Sequence, residues 1–414
     1  MQISHVVLSL AAMCLPPKPP VVAAAPRTLK RDVPLVKTQI GTMEVTEVCA
    51  GTMTWGSFVE KEESAHKELD TFLAAGVNFL DTAEIYPVAF NYGKTTETWI
   101  GNWLTARIAD GSIKREDFYI ATKCNPAGKG SPDGEPHDFS AAKLEASARA
   151  SIERLQSDYI DLYYLHFPSR KGFDVFGWGS YGSPERYKAK TSDGSMADFE
   201  RQVKNVKHLL DLGLIKNWGL SNENAYGVTM FCIAADKLGV PRPCCIQNDM
   251  SLNERSFEGD VAEACHHFGV VGLPYGVLSG GTLTGKYITG EATPRSRQNL
   301  SPEFQPRYNG PLAVEATKAY AKLAEAWGLT PTELAIAWAR DRWYNAGVIT
   351  GTTSPKQVEE CLAAFRLETL PTELCEAIDA IHEQYRSPTT TLVNKALLLA
   401  APWVEKVDEC ATVA

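Results

Sequence analysis

Residues 118–167 contain the pattern that decides the fold. Residues 118–124 read FYIATKC, residues 141–155 read AAKLEASARASIERL, and residues 160–167 read IDLYYLHF. The first and third segments are short runs rich in β-forming residues, whereas the second has the periodicity of an amphipathic helix. A strand, a helix and a second strand in this order are typical of a parallel sheet with crossover helices. These residues therefore predict a βαβ unit.

The same alternation continues along most of the 414 residues. The predicted strands end near Ala50, Leu80, Thr122, Leu165, Gly219, Ile246, Leu273 and Ile349. The predicted helices cover residues 61–75, 95–106, 141–155, 198–212, 225–237, 257–268, 314–327, 332–343 and 355–365. Eight such units in one chain predict a single α/β domain, a (β/α)8 TIM barrel. Residues 36–40 and 43–46 predict a hairpin before the first barrel strand.

Long loops are predicted after three of these strands, at residues 126–138, 168–197 and 289–310. Each would lie on the face of the barrel where TIM-barrel enzymes have their active sites.

The composition excludes several classes of protein. Hydrophobic residues make up 44% of the chain and charged residues 22%, as in an ordinary globular protein, which excludes disorder, collagen and coiled coil. The net charge of −9 argues against nucleic acid or an anionic membrane as partner. Ten cysteines without a C-x-x-C pair predict reduced thiols rather than a disulfide scaffold or structural zinc.

The two ends of the chain differ from the barrel in composition. Residues 1–31 are predicted to be a leader, because no acidic residue precedes Asp32 and a Pro-rich patch follows an apolar stretch. That stretch is shorter than the roughly 20 residues of a membrane span, and no Lys or Arg precedes it, which favours disorder or an organellar presequence over a secretory signal. We expect a cytoplasmic protein, or an organellar one if the leader is a presequence. Residues 32–388 form the predicted barrel domain and residues 389–414 a C-terminal extension.

Polar side chains stand at or just after the ends of three successive predicted strands. Asp81 and Tyr86 follow the second strand, Lys123 ends the third and His166 ends the fourth. The pKa of an isolated tyrosine, about 10, is too high for an efficient acid at neutral pH, and a neighbouring ammonium lowers it. Asp81 would keep Lys123 charged, and neutral His166 would donate an N–H to a substrate oxygen. The four residues predict a proton-transfer site.

Each of these residues also has an ordinary structural explanation when taken alone. Asp81 fits a helix N-cap, Lys123 a solvated loop, Tyr86 simple packing and His166 a hydrogen-bonded core position. Because all four converge on one end of a barrel, the catalytic interpretation is favoured.

Several motifs resemble those of one enzyme family. They are DTAEIYP (81–87), WIGNWL (99–104), ATK (121–123), LYYLHFP (162–168), KNWGLSNENAYGV (216–228), IQNDMSLNERSFE (246–258) and GGTLTGKY (280–287). Together they resemble the aldo-keto reductases, and the bacterial Tas-like branch in particular, over residues 33–388. The resemblance implies an NADPH-dependent oxidoreductase, a monomer or weak homo-oligomer, acting on a small-molecule carbonyl substrate. It also implies a catalytic tetrad of Asp81, Tyr86, Lys123 and His166, with Tyr86 as proton donor.

The resemblance further implies a cofactor site built from successive strand ends. Ser221, Asn222 and Gln247 would hold the nicotinamide carboxamide, and Tyr275 would stack on the ring. Thr52 and Met53 are also assigned to this site. The remaining cofactor residues implied by the resemblance are Leu278, Gly280, Lys286, Arg297, Gly351, Thr353, Gln357 and Glu360.

The residues after the predicted strands seven and eight also indicate phosphate binding on chemical grounds. Residues 276–287 form a loop of small residues whose N–H groups can approach a pyrophosphate, and Thr353 and Ser354 precede Pro355 as a helix start would. Lys356, Arg295 and Arg297 are the cations considered for the 2′-phosphate. The chain departs from the family pattern at Gly276, Thr350 and Cys361, where serine, proline and asparagine are frequent.

Two further signals are rejected. Residues 177–182 have the spacing of a dinucleotide-binding G-x-G-x-x-G motif, but they do not follow a strand directly or open a helix. Asp133, His137 and Asp138 suggest a metal site only faintly, and no metal is predicted.

The sequence is also compatible with two other functions. Some relatives that share the tetrad act as regulatory subunits, so a cofactor-binding protein with slow turnover is the alternative to a reductase. A barrel isomerase or hydrolase without nicotinamide is the third hypothesis.

Overall fold

The computed structural model describes residues 28–88, 95–126, 139–170, 173–174, 180–181 and 194–389. Within them the barrel strands, numbered along the chain, are β1 (Val48–Gly51), β2 (Phe79–Asp81), β3 (Tyr119–Cys124), β4 (Ile160–Leu165), β5 (Ile215–Ser221), β6 (Cys245–Gln247), β7 (Val271–Gly272) and β8 (Val348–Gly351). The sheet order is β7-β6-β5-β4-β3-β2-β1-β8, and every neighbouring pair is parallel. The predicted TIM-barrel architecture is confirmed.

The sheet curls so that its last strand returns to its first. In the register, Ile349 of β8 stands opposite Cys49 of β1. On its other side, the N–H of Ile349 donates to the carbonyl of Pro274, just after β7, at 3.0 Å. The polar residues that follow the strands are therefore gathered around one mouth.

Helices surround the sheet. They are α1 (Glu62–Ala74), α2 (Thr95–Ala109), α3 (Ala141–Leu155), α4 (Met196–Asp211), α5 (Ala225–Leu238), α6 (Asp260–Phe268), α7 (Pro311–Ala326), α8 (Pro331–Arg340), α9 (Pro355–Phe365) and α10 (Thr372–Gln384). Short helices also lie at Lys286–Thr289 and Arg297–Leu300, and Phe173–Asp174 pairs with Ser180–Tyr181. No helix of the described residues is long and apolar enough to cross a membrane.

The predicted hairpin before the first barrel strand is present as Lys37–Ile40 and Met43–Thr46, and it covers the amino-terminal end of the barrel. The N–H of Thr42 in its turn donates to Oδ1 of Asn217 at 2.9 Å. Its apolar residues continue the packing of the barrel interior, which consists of Ile40, Met43, Val45, Cys49, Phe79, Ala121, Leu162, Tyr164, Cys245, Leu273 and Ile349. The interior is thus a packed core, and the open end is the mouth.

One helix and one boundary differ from the sequence prediction. Helix α10 was not predicted, although Leu374 and Ile378, four residues apart, are buried against the core. Residues 28–31 were assigned to the leader, but Leu29 is buried and the carbonyl of Lys30 accepts from the N–H of Glu368 at 3.0 Å. The packed body therefore begins before residue 32. Residues 1–27 and 390–414 lie outside the described residues.

Candidate active site

The four residues of the predicted tetrad meet at the mouth of the barrel. Asp81 is the last residue of β2, Lys123 the second-last of β3, and His166 follows β4 directly. Tyr86 lies in the loop after β2. All four are buried, and Lys123 has no exposed surface at all.

Lys123 is the centre of the hydrogen-bond network. Its Nζ lies 2.7 Å from Oδ2 of Asp81, 2.7 Å from the carbonyl oxygen of Thr82 and 3.2 Å from the hydroxyl oxygen of Tyr86. Nε2 of Gln247 donates to the other oxygen of Asp81 at 2.8 Å. The ammonium and the carboxylate are therefore both held in fixed orientations.

His166 completes the group beside the tyrosine. The rings of Tyr86 and His166 meet edge to face with their centroids 6.0 Å apart. Burial and the charge of Lys123 hold the pKa of His166 well below its usual value. The imidazole is therefore neutral and carries one N–H donor. Its Nδ1 is buried without a hydrogen-bond partner among the described residues.

The direction of the Tyr86 pKa shift corrects the sequence prediction. The prediction was that Lys123 lowers it, but burial raises the pKa of Tyr86 well above its usual value, and the charge of Asp81 raises it further. Burial also raises the pKa of Asp81 and lowers the pKa of Lys123, while their mutual attraction opposes both shifts. Tyr86 is therefore a protonated phenol at neutral pH, which suits a proton donor and not a base.

The residues assigned to the nicotinamide lie next to this group. Asn222 has left-handed backbone with φ 58°, and its Nδ2 donates to the carbonyl of His166 at 3.0 Å. Its Oδ1 accepts from the hydroxyl of Tyr275 at 2.6 Å. The hydroxyl of Ser221 donates to the carbonyl of Gln247 at 2.9 Å. The N–H of Asn222 donates to the same carbonyl at 3.0 Å, so this asparagine joins the ends of β4, β5, β6 and β7.

Two of the predicted cofactor-binding residues in the loop after β7 are cations. Lys286 and Arg297 are half-buried, and no carboxylate of the described residues lies within ion-pair distance of either. Burial lowers the pKa of Lys286, and the charge of Arg297 lowers it further. Arg297 also lies over the ring of Phe58, in the loop after β1, at 5.4 Å from its centroid. Gly280 and Leu278 belong to the same loop, and Leu278 packs against the core.

The other two candidate cations have carboxylate partners. Arg295 lies 3.0 Å from Oε1 of Glu60, and both side chains are exposed. Lys356 lies 3.7 Å from Glu360 on the same helix. Of the three cations considered from the sequence, Arg297 is therefore the one whose charge is left uncompensated within the described residues.

The remaining predicted cofactor residues lie around the ends of β1 and β8. Ser354 caps α9 as predicted, and Oε1 of Gln357 accepts from the N–H of Thr353 at 3.0 Å. Gly351 and Glu360 are exposed nearby. The hydroxyl of Thr52 donates to the carbonyl of Asp81 at 2.9 Å. Met53 packs against the small apolar cluster of Ala83, Ile85 and Tyr86.

Some residues near the site were missed by the sequence reasoning. Oε1 of Glu84, two residues before Tyr86, accepts from the N–H of Asn125, two residues after Lys123, at 2.6 Å. Asp249 forms a buried ion pair with Arg307 at 2.8 Å. The sequence offered one indication that Asp249 lies near the site, which is its position two residues after the end of β6. No local signal marked Arg307.

The two rejected motifs lie largely outside the described residues. Side chains of residues 177–182 and all of Asp133, His137 and Asp138 lie outside the described residues. Within the part of the chain that is described, no group of three His, Cys, Asp or Glu residues could hold a metal ion.

The sequence and the structure match known proteins over most of the chain. The sequence model of the aldo/keto reductase family matches residues 47–383. Protein tas of Escherichia coli is 34% identical over 352 residues, which cover 84% of this chain and 96% of that protein. Norsolorinic acid reductase of Emericella nidulans is 26% identical, covering 84% of this chain and 85% of that protein.

Among solved structures, the glycerol dehydrogenase of Gluconobacter oxydans matches with a TM-score of 0.63 at 22% identity, covering 85% of this chain and 96% of that one. This likeness supports the barrel fold. Together with the tetrad-like arrangement at the barrel mouth, the family match and the similarity to protein tas are decisive: this chain belongs to the aldo/keto reductase family, a family of oxidoreductases.

Proposed function

We propose that the protein is an NADPH-dependent reductase that converts an aldehyde or ketone to an alcohol, with Tyr86 as the proton donor. The observation that carries this proposal is the position of Lys123 Nζ between the carboxylate of Asp81 and the hydroxyl of Tyr86. The membership of the chain in the aldo/keto reductase family supports it.

In this mechanism each side chain of the tetrad has a separate role. A nicotinamide cofactor, when bound, would supply a hydride for the carbonyl carbon of the substrate. The hydroxyl of Tyr86 gives its proton to the carbonyl oxygen, and the charge of Lys123 stabilises the phenolate that remains. Asp81 orients Lys123. Neutral His166 donates an N–H to the substrate oxygen and so favours one orientation of the carbonyl.

The residues of the loop after β7 fit the phosphates of the cofactor. Two half-buried cations, Lys286 and Arg297, repel each other, and the charge of Glu360 opposes this repulsion without any carboxylate of the described residues lying within ion-pair distance of either cation. An anion between or beside them removes this unfavourable interaction. The start of α9, capped by Ser354, offers N–H groups that also favour a phosphate. We assign the 2′-phosphate to Arg297 and the pyrophosphate to the loop around Gly280.

The residues after β5 to β7 fit the nicotinamide. Asn222, Ser221 and Gln247 present amide and hydroxyl groups that can bind a carboxamide, and Tyr275 presents a half-buried ring beside Asn222. We propose a small-molecule carbonyl compound as substrate and a monomer or weak homo-oligomer as the working form.

The test is NADPH oxidation by the purified protein with a panel of aldehydes, ketones and quinones, with NADH in parallel. Tyr86→Phe should lower the rate of carbonyl reduction by about 10²- to 10⁴-fold and leave NADPH binding in place. Tyr163→Phe is the matched control, because Tyr163 is also buried but lies in the core between strands and helices. A fully active Tyr86→Phe protein would refute the assignment of the proton donor.

The same experiment separates the alternative function. Tight NADPH binding with slow turnover of every carbonyl compound would favour a cofactor-binding regulatory protein. Failure to bind NADPH would favour an acid/base barrel enzyme without nicotinamide.

A further inference from the structure

A buried charged cluster lies behind the loop after β7 and is not part of the tetrad. Oδ2 of Asp249 accepts from Nε and Nη2 of Arg307 at 3.0 and 2.8 Å. The hydroxyl of Tyr308 donates to Oδ1 of Asp249 at 2.7 Å. As whole residues, Asp249, Arg307 and Tyr308 are 8%, 5% and 2% exposed. A buried ion pair contributes little to stability compared with apolar packing, so its presence here calls for another explanation.

The cluster joins the two ends of the segment that carries the proposed phosphate site. Asp249 pairs through its backbone with Tyr275, immediately before that segment. Arg307 and Tyr308 lie at its other end, in the short helix Pro306–Asn309 that precedes α7. The ion pair therefore closes residues 276–306 into a loop with both ends fixed.

Tyr308 also contacts the phosphate loop itself. Its carbonyl accepts from the hydroxyl of Thr282 at 3.0 Å. A Cβ atom on Gly280 would lie 3.0 Å from the ring of Tyr308, and one on Gly276 would lie 2.6 Å from its hydroxyl. Both glycines have positive φ, of 62° and 71°. The cluster thus occupies the space that a serine at position 276 would need, which accounts for this departure from the family pattern.

We propose that Asp249, Arg307 and Tyr308 are positioning residues that hold the loop 276–285 in its phosphate-binding conformation before the cofactor arrives, and so determine how tightly NADPH is retained. The inference rests on the proposed function, because it assigns NADPH to this loop. Its physical basis is preorganisation: a loop that is already ordered pays less conformational entropy on binding.

The test compares Asp249→Asn and Tyr308→Phe with the wild-type protein in NADPH titrations followed by fluorescence. Asp249→Asn should raise the dissociation constant of NADPH at least about tenfold, and Tyr308→Phe should raise it by a smaller factor. The effect should appear in the NADPH dissociation constant and off-rate, and much less in kcat at saturating NADPH.

Asp161→Asn is the matched control. Asp161 is 4% exposed and lies 2.8 Å from Arg115, but this ion pair is at the amino-terminal ends of the strands, away from the mouth. The control should lower the melting temperature without changing NADPH affinity. Tyr308→Phe removes one oxygen only and keeps the test informative if Asp249→Asn does not fold.

The outcomes are distinct. Unchanged NADPH affinity in both cluster variants would overturn the inference and leave the proposed function standing. Equal losses of affinity in Asp161→Asn and Asp249→Asn would also overturn it, because the cluster would then act only through stability. A wild-type protein that does not bind NADPH would contradict the proposed function, and the inference with it.

Discussion

The ammonium nitrogen of Lys123 lies 3.2 Å from the hydroxyl oxygen of Tyr86. The two residues come from different βα units, and the ammonium is simultaneously bonded to Asp81 at 2.7 Å. A protonated phenol therefore stands beside a charge that stabilises its conjugate base only after the proton has left. This relationship leads to the first two predictions.

Lys123→Met should separate the catalytic role of the ion pair from its structural role. Removing the ammonium leaves Asp81 buried and unpaired, which should cost about 3–5 kcal/mol of stability at neutral pH. The double variant with Asp81→Asn should regain part of that stability but none of the activity, because the phenolate of Tyr86 still lacks its partner. Thermal unfolding and steady-state kinetics measure the two effects. Recovery of activity in the double variant would contradict the role given to Lys123.

The pH dependence should differ between the two directions of the reaction. Since the pKa of Tyr86 is raised and that of His166 is lowered, both groups are neutral throughout the range from about pH 6 to pH 9. Carbonyl reduction should be flat over this range, whereas alcohol oxidation, which needs ionised Tyr86, should rise with pH. Profiles of kcat/KM in both directions test this. A step in carbonyl reduction near the ordinary pKa of histidine would show that His166 titrates.

Arg297→Met should weaken NADPH binding about 10- to 100-fold and change NADH binding little, because a half-buried guanidinium is removed from the proposed 2′-phosphate site. Arg295→Met is the control two residues away, where the cation is exposed and already paired with Glu60. Dissociation constants for NADPH and NADH measure both. Equal losses for the two cofactors would place the 2′-phosphate elsewhere.

Glu84→Gln should change how stability depends on pH. Burial raises the pKa of Glu84 from 4.5 to about 7, so the folded protein keeps a proton that the unfolded chain releases. This contribution to stability is complete below about pH 4.5 and is lost as the pH rises to about 7, a change of about 3 kcal/mol. The Gln variant should lose that part of the slope, and its unfolding free energy between pH 5 and pH 8, measured by denaturant titration, checks this.

A control and a second carboxyl group sharpen this test. Glu153→Gln, at an exposed position on α3, should leave the slope unchanged. The pKa of Glu68 is also raised to about 7 by burial, so adding Glu68→Gln should flatten the slope further. A wild-type slope that persists in Glu84→Gln would mean that Glu84 is ionised in the folded protein.

The sequence by itself determined the order of the strands and helices and the position of the tetrad at strand ends. Hydrophobic periodicity is a local property, so residues 118–167 predict a βαβ unit without knowledge of distant residues. Convergence of Asp81, Lys123 and His166 then follows from the parallel direction of their strands. Helix α10 shows the limit of this reasoning, because its buried face is only Leu374 and Ile378.

Ion pairing and pKa values depend on contacts from distant parts of the chain, and only the tertiary structure decided them. Arg295 and Arg297 are equivalent in the sequence, and a carboxylate from the loop after β1 pairs with one and not the other. Asp249 and Arg307 form a buried pair across 58 residues of chain, with no local pattern to reveal it. The pKa of Tyr86 rises because burial raises it and the charge of Asp81 raises it further. Burial is the sum of contacts from the whole barrel mouth, and a local sequence pattern does not contain that sum.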